Sequence, residues 1–339
     1  MFRQNTVVVI GAGAGVEYEM PLGSALVSSI AEDVRFRFDR ARGLEPISGS
    51  VDLFHFLYHR FREDYDQLNR FMGAGNALAS VLSSAVSIDD ALYQLSETPE
   101  AVTLGKMCIV RSILKAEAQS TIRPSVRFAR PDDNAGRDGW IEQVFSMAIS
   151  GLKQSEMEFA FDKLTFVNFN YDRCLEHYLY WPLQRIGIDE PRAASIVQEL
   201  KIIRPYGGIG SILPASTDFV AYGGETDLLK VIPRIRTYTE SEAIHDGSAL
   251  ESAIVNARLV MFLGFGFHAQ NMELLKVAQL GFRRVMATVK KVHTDNRLEI
   301  SDEIMAKLRC ENSKLVELFD MTAPEMLREL RPKVLLTVG

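Results

Sequence analysis

Cysteine is scarce in this sequence and badly spaced for metal. Cys108, Cys174 and Cys310 are the only three in 339 residues. They are scattered, with no C-x-x-C pair, which argues against a zinc ribbon and predicts reduced thiols in a cytoplasm. Positive charge is not in excess either. Lys and Arg number 38 against 44 Asp and Glu, a net charge of −6. That offers no basis for nucleic-acid binding, which needs a basic face. Long uncharged apolar runs are missing as well. The first run, Val7 to Ile10, is short and stops at glycines, unlike a secretory signal or a membrane span, and no later stretch is long enough to cross a bilayer. There is no internal repeat and no low-complexity tract. A chain of this length still exceeds one simple core, which predicts a main domain with a substantial insertion or second lobe.

What is present starts at once. "VVVIGAGAGVEYEMP", residues 7 to 21, opens with a β-branched run expected of a strand buried on both faces of a parallel sheet. Gly11, Gly13 and Gly15 then permit a tight turn and a close backbone approach to a ligand. "LGSALVSSIAEDV" reads as a helix. From about Val51 to Ala118 the pattern stays helical: Leu53, Phe54, Leu57, Tyr58 and Phe61 share one face, and "SIDDALYQL" begins with a serine cap. Strand signals are nearly absent there. "RPSVRFARPDDNAGRDG", Arg123 to Gly139, reads as a solvated loop, with phosphate contact by its arginines as the second reading.

The α/β pattern resumes at "KLTFVNFNYD" and repeats in "LKIIRPYGGIG", "ARLVMFLGFGFH", "FRRVMATVKKV" and "SKLVELFD". Several of these strands end in glycine, polar or aromatic residues. In open parallel sheets that carboxyl edge is where ligands bind. The expected fold is therefore α/β: a doubly wound, Rossmann-like parallel sheet formed by residues 1–45 and 160–339, with a large all-helical insertion over 46–159.

A hydride-transferring dehydrogenase needs G-x-G-x-x-G and an acid about 20 residues on. Gly11 and Gly13 fit, but Val16 stands at the third position, and Pro21 would break a helix already running. "VRFRFD", read as a second strand ending in Asp39, keeps that reading as the third choice.

Taken together the motifs resemble the sirtuin family. Gly11, Ala12, Gly13 and Ala14 match its glycine turn, with Gly15 in place of a serine and Glu19-Met20-Pro21 where G-I-P would stand. Asn170 and Asp172 match its N-x-D, "YGGIG" lies where sirtuins carry H-G, and "FLGFGFH" resembles the late turn that lines the ribose. "FNYDRCLEHYL" and "FLGFGFHAQNMELL" look more closely like the bacterial sirtuin-like proteins of antiviral defence; "SIDDAL" matches more loosely. The resemblance implies NAD as substrate or ligand, cleavage of its nicotinamide–ribose bond, an antiphage role, a homo-oligomer, and a partner ATPase or defence protein. It departs at the zinc module, which three cysteines cannot build, so neither zinc nor deacylation is expected. It departs again at the catalytic histidine, replaced here by Tyr206; Arg204 nearby stays protonated and cannot act as a base.

The site this predicts has Asn170, Asp172, Tyr206 and His268 as catalytic candidates. Gly11, Ala12, Gly13, Ala14, Gly15, Pro21, Gly207, Gly264 and Gly266 would hold the nucleotide, with pyrophosphate on the N–H groups of Gly13 to Gly15. Asn170 suits a carboxamide or a water, or else a strand-end turn. Asp172 suits a developing positive charge, a helix cap, or both. His268 either caps the helix beginning near Gln270 or faces the ligand. His55 and His59 stand at metal-binding spacing without a third ligand and read as helix residues, as does His177. The alternative to hydrolysis is a non-catalytic sensor of NAD or an ADP-ribose derivative.

Overall fold

A computed structural model describes residues 1–39, 45–125, 130–243 and 249–336. Part of the loop expected between Arg123 and Gly139 lies outside those residues, at 126–129; its described remainder runs in turns. The first strand, β1 (Thr6–Ile10), is buried along its whole length, as a β-branched run between two helical layers must be.

The strands that follow are β2 (Arg37–Phe38), β3 (Pro46–Ser48), β4 (Leu164–Asn168), β5 (Ile202–Ile203), β6 (Leu259–Leu263), β7 (Arg284–Thr288) and β8 (Val316–Phe319). Six of them form one sheet in the order β5-β4-β1-β6-β7-β8, with every pair parallel. Relative to chain order this is 3-2-1-4-5-6, the doubly wound Rossmann-like topology, with its switch point between β1 and β6. β2 and β3 pair only with each other, antiparallel, in a separate ribbon. Asp39 therefore does not end a strand beside β1, and the expectation built on "VRFRFD" is corrected. The strand beside β1 on that side is β4, reached only after the helical segment.

The helices are α1 (Gly23–Asp33), α2 (Val51–Phe61), α3 (Tyr65–Leu82), α4 (Ile88–Gln94), α5 (Pro99–Gln119), α6 (Trp140–Ile149), α7 (Cys174–Arg185) and α8 (Glu190–Gln198), followed by shorter helices and Thr294–Leu308. Local chemistry starts several of them. Ser50 Oγ accepts from Leu53 N, Asp64 from Gln67 N and Ser87 Oγ from Asp90 N, each satisfying a donor that a helix start leaves open.

Alternation along β1 then sorts the layers. Val7 and Val9 share a core with Leu26 of α1, Leu53 of α2, Leu78 of α3, Leu92 of α4 and Leu104 of α5. Val8 and Ile10 face the opposite way, toward Val144 of α6, Leu179 of α7 and Ile196 of α8. Helices α2 to α5 thus bury their apolar stripes in a core that is continuous with one face of β1. That packing carries α4 to the carboxyl edge of the sheet. Among the described residues, no helix is long and apolar enough to cross a membrane.

Candidate functional site at the carboxyl edge of the sheet

The glycine turn after β1 lines a cavity through Gly11, Ala12 and Gly13, and on its other side it packs against the turn after β6. A Cβ on Gly11 would lie 2.6 Å from Gly264 O, and one on Gly13 would lie 2.8 Å from the same atom. Gly264 itself has φ +57, and a Cβ there would reach 2.0 Å from Ala14 N. The turns after β1 and β6 therefore interlock at the switch point, where only glycine lets two backbones meet. Gly13 N–H donates to Gly264 O at 2.9 Å and Ala14 N–H to Gly11 O at 3.0 Å, so these amides are already bonded and are not offered to pyrophosphate.

Nor does the turn open an α-helix. It runs into a 3-10 helix, Ala12–Tyr18, that ends at Glu19 with φ 63. Trp140 N donates to Glu17 Oε1, and Trp140 Nε1 to Ala14 O; these bonds tie the segment to the start of α6. Pro21 then ends the irregular stretch, and α1 begins at Gly23 with no side-chain cap and no acid in its first turn. Leu22, Gly23 and Ser24 line the cavity. The helix start suited to an anion is thus that of α1, ten residues beyond Gly13.

That cavity holds about 410 Å³, within the range of small-molecule sites. Its polar groups come from several elements. At the end of β4, Asn170 Nδ2 donates to Gly11 O at 3.1 Å, and its own N–H bonds Asn168 Oδ1 at 2.9 Å. Asp172 is 6% exposed, and its Oδ1 accepts from Cys174 N at 3.1 Å. The N-cap of α7 is Arg173, one residue later than expected, so Asp172 stands just before the helix while lining the cavity. Burial pushes its carboxyl pKa up, against the pull of the Cys174 bonds and the Arg204 guanidinium.

Arg204 fixes this turn from behind. It donates to Asn170 O and Asp172 O, 3.0 Å each, and pairs with Glu176 at 2.6 Å. Deeper still, Arg173 is held by Glu117 of α5, a pair with side chains 2% and 0% exposed. Arg173 also donates to Val220 O and Ala221 O.

Tyr206 donates its O–H to Asn271 Oδ1 at 2.7 Å. Burial raises its pKa well above the ordinary phenol value, so it is a donor and not a base. Its ring stands edge-on to Phe169, 5.9 Å between centroids. His268 is the N-cap of Ala269–Leu274, yet its side chain makes no capping bond; it lines the cavity from an exposed position. Asp89 of α4 enters from the opposite side, its Oδ1 accepting from Tyr171 O–H at 3.2 Å. Burial pushes its pKa up to about 6, against the lowering effect of that hydrogen bond.

The fold brings Gly11, Ala12, Gly13, Pro21, Asn170, Asp172, Tyr206, Gly264, Gly266 and His268 to this one cavity. Ala14 and Gly15 are buried behind it, and Gly207 lines a separate groove, its would-be Cβ blocked by Arg234 O. Sequence reasoning did not assign Asp89, Asn271, Tyr171 or the start of α1. The signal for Asp89 lay in "SIDDAL", but an acid in a first helical turn is ordinarily read as complementing the dipole.

His55 and His59 sit on α2 with ring centroids 6.4 Å apart. His177 is buried, bonded to Ile122 O and stacked on Tyr222; desolvation lowers its pKa to about 3, against the raising effect of the Ile122 bond. Among the described residues, no group of three or more His, Cys, Asp or Glu could hold a metal ion. No protein-family model and no curated protein matches the chain; the fold, with its crevice at the switch point, is one compatible with nucleotide binding.

Proposed function

We propose that the protein is a sirtuin-like NAD-binding protein that hydrolyses the nicotinamide–ribose bond, releasing nicotinamide and ADP-ribose. The observation that carries this is the convergence, in one cavity at the strand switch point, of an uncapped helix start with Asn170, Asp172 and Asp89. The amides at the start of α1 suit the pyrophosphate. Asn170 has given its Nδ2 to Gly11 and offers its Oδ1 to the nicotinamide amide or to water. Asp172 supports the positive charge that grows on the ribose as the bond breaks. Nicotinamide leaves as a neutral molecule from a cationic ring, so its departure needs no general acid.

One observation favours a second reading. Tyr206 stands where the resembled family has its histidine, and its hydroxyl is already donated to Asn271, which suits a site that binds NAD or an ADP-ribose derivative and senses it. The place in antiviral defence, the oligomer and the partner ATPase or defence protein rest on the resemblance, and the cytoplasmic setting on the scattered cysteines. Calorimetric titration with NAD, ADP-ribose and nicotinamide tests the binding. The proposal expects NAD to bind and Asn170→Ala to weaken turnover more than binding. A folded protein that binds none of the three refutes it.

A further inference from the structure

Hydrolysis needs a group that takes a proton from the attacking water, and the candidates in the cavity are not equivalent. Tyr206 is a donor whose proton is committed to Asn271. His268 stands exposed at the cavity's rim and makes no fixing hydrogen bond. Asp89 differs from both. It sits on a serine-capped helix, so its backbone is held, and Tyr171 fixes Oδ1 by a 3.2 Å hydrogen bond on a carboxylate that lines the cavity. Ile88, Ile113 and Phe169 line the cavity around it, an apolar setting that suits a carboxylate poised to accept a proton. Resting on the hydrolase reading above, we propose that Asp89 is the general base that activates water for attack on the anomeric carbon.

The step balances without a co-reactant. The carbon–nitrogen bond breaks and nicotinamide leaves with its electron pair. Water oxygen bonds the anomeric carbon, and one water proton passes to Asp89, which later releases it to solvent. The products are ADP-ribose, nicotinamide and one proton.

The groups around Asp89 are few. Tyr171, Tyr206, Asp172 and His268 line the same cavity. The Tyr238–Glu242 helix contributes Tyr238 and Glu240, the latter paired with Lys106 of α5 at 2.8 Å. Asp90 follows on its own helix and accepts from Gln94. From α1 and α3 the same core receives Leu26, Leu78 and Leu82. Burial holds the Asp89 carboxyl near pH 6, and the Tyr171 bond works against that rise, so it is ionised yet still basic at neutral pH.

The test measures nicotinamide release against pH, from 5 to 8.5, with NAD affinity determined separately by calorimetry. Wild type is expected to rise through about pH 6 to a plateau. Asp89→Asn should lose about 10²- to 10⁴-fold in rate and the rising limb, while binding NAD as wild type does. Azide, a nucleophile with no proton to lose, should partly restore its turnover and yield the ribosyl azide. Tyr171→Phe removes a bond that lowers the carboxyl pKa, so it should move the limb to higher pH; His268→Ala should keep the limb in place. Wild-type rate and profile in Asp89→Asn would overturn the assignment, as would NAD binding lost in step with rate. A wild-type protein that neither binds nor cleaves NAD overturns the hydrolase reading and this assignment together.

Discussion

Asp89→Asn keeps the shape of a carboxylate and removes its charge, and the structure sets both the sign and the pH range of the effect on stability. In the unfolded chain an aspartate titrates near pH 4; in the fold, burial moves Asp89 to about 6. Between those values the native state binds more protons than the unfolded state, so stability falls as pH rises. Two units correspond to about 3 kcal/mol at neutral pH, at 1.36 kcal/mol per unit. About half of that is already present at pH 5, and about 1.3 kcal/mol more is lost between pH 5 and 7.5. Asparagine escapes the whole penalty. It gives back about 0.5–1.5 kcal/mol, because Tyr171 then donates to a neutral acceptor. The variant should therefore be more stable than wild type by about 1–2 kcal/mol at pH 7.5, with the gap shrinking at pH 5. Urea denaturation of both proteins at the two pH values reads this directly, provided the slopes agree. A gap that does not change with pH, or a variant less stable at pH 7.5, would refute the account of a half-buried, partly desolvated carboxylate.

Other perturbations separate binding from folding. Ser24→Asp places an acid in the uncapped first turn of α1, which should leave the melting temperature unchanged or slightly higher while weakening NAD affinity at least about tenfold by repulsion of the pyrophosphate; unchanged affinity in calorimetry would move the anion site elsewhere. Glu117→Ala strands the Arg173 guanidinium in a fully buried position and should cost about 3–5 kcal/mol by urea denaturation, with less than about 1 kcal/mol contradicting the role given to the pair. Gly264→Ala forces a Cβ to 2.0 Å from Ala14 N at φ +57; it should lower stability by more than the ~1–3 kcal/mol of backbone strain alone, and a melting temperature equal to wild type would deny the interlocked turns.

Much of this architecture was legible where a local rule applied. Val7 to Ile10 announce a doubly buried strand through β-branching, and β1 is buried throughout. Ser87 announces a helix start, and its hydroxyl caps α4. The strand ends at Asn170 and Gly264 could be placed at one sheet edge because parallel strands of a doubly wound sheet share a direction. What escaped depends on partners distant in sequence. Gly11 and Gly13 signalled a close backbone approach, but only the fold shows that the approaching backbone is Gly264. Pro21 was read as incompatible with a helix already running, and the α-helix starts only after it, at Gly23; that this start lines the cavity was not legible. Asp89 reaches the site because α4 packs with α1 and α5 over the sheet, and nothing within "SIDDAL" encodes that placement. Arg37 and Phe38 made a plausible strand, but their partner was the neighbouring ribbon.

The central claim is that this cavity takes NAD and splits it at the nicotinamide–ribose bond. Incubation with NAD in ¹⁸O-labelled water, followed by chromatography and mass spectrometry, tests it most directly. The account predicts nicotinamide and ADP-ribose in equal amounts, one ¹⁸O in the ADP-ribose at the anomeric hydroxyl, and sharply reduced release by Asn170→Ala. Unchanged NAD together with measurable binding would contradict hydrolysis and leave the sensor. NADH formed on addition of an alcohol would contradict the account altogether.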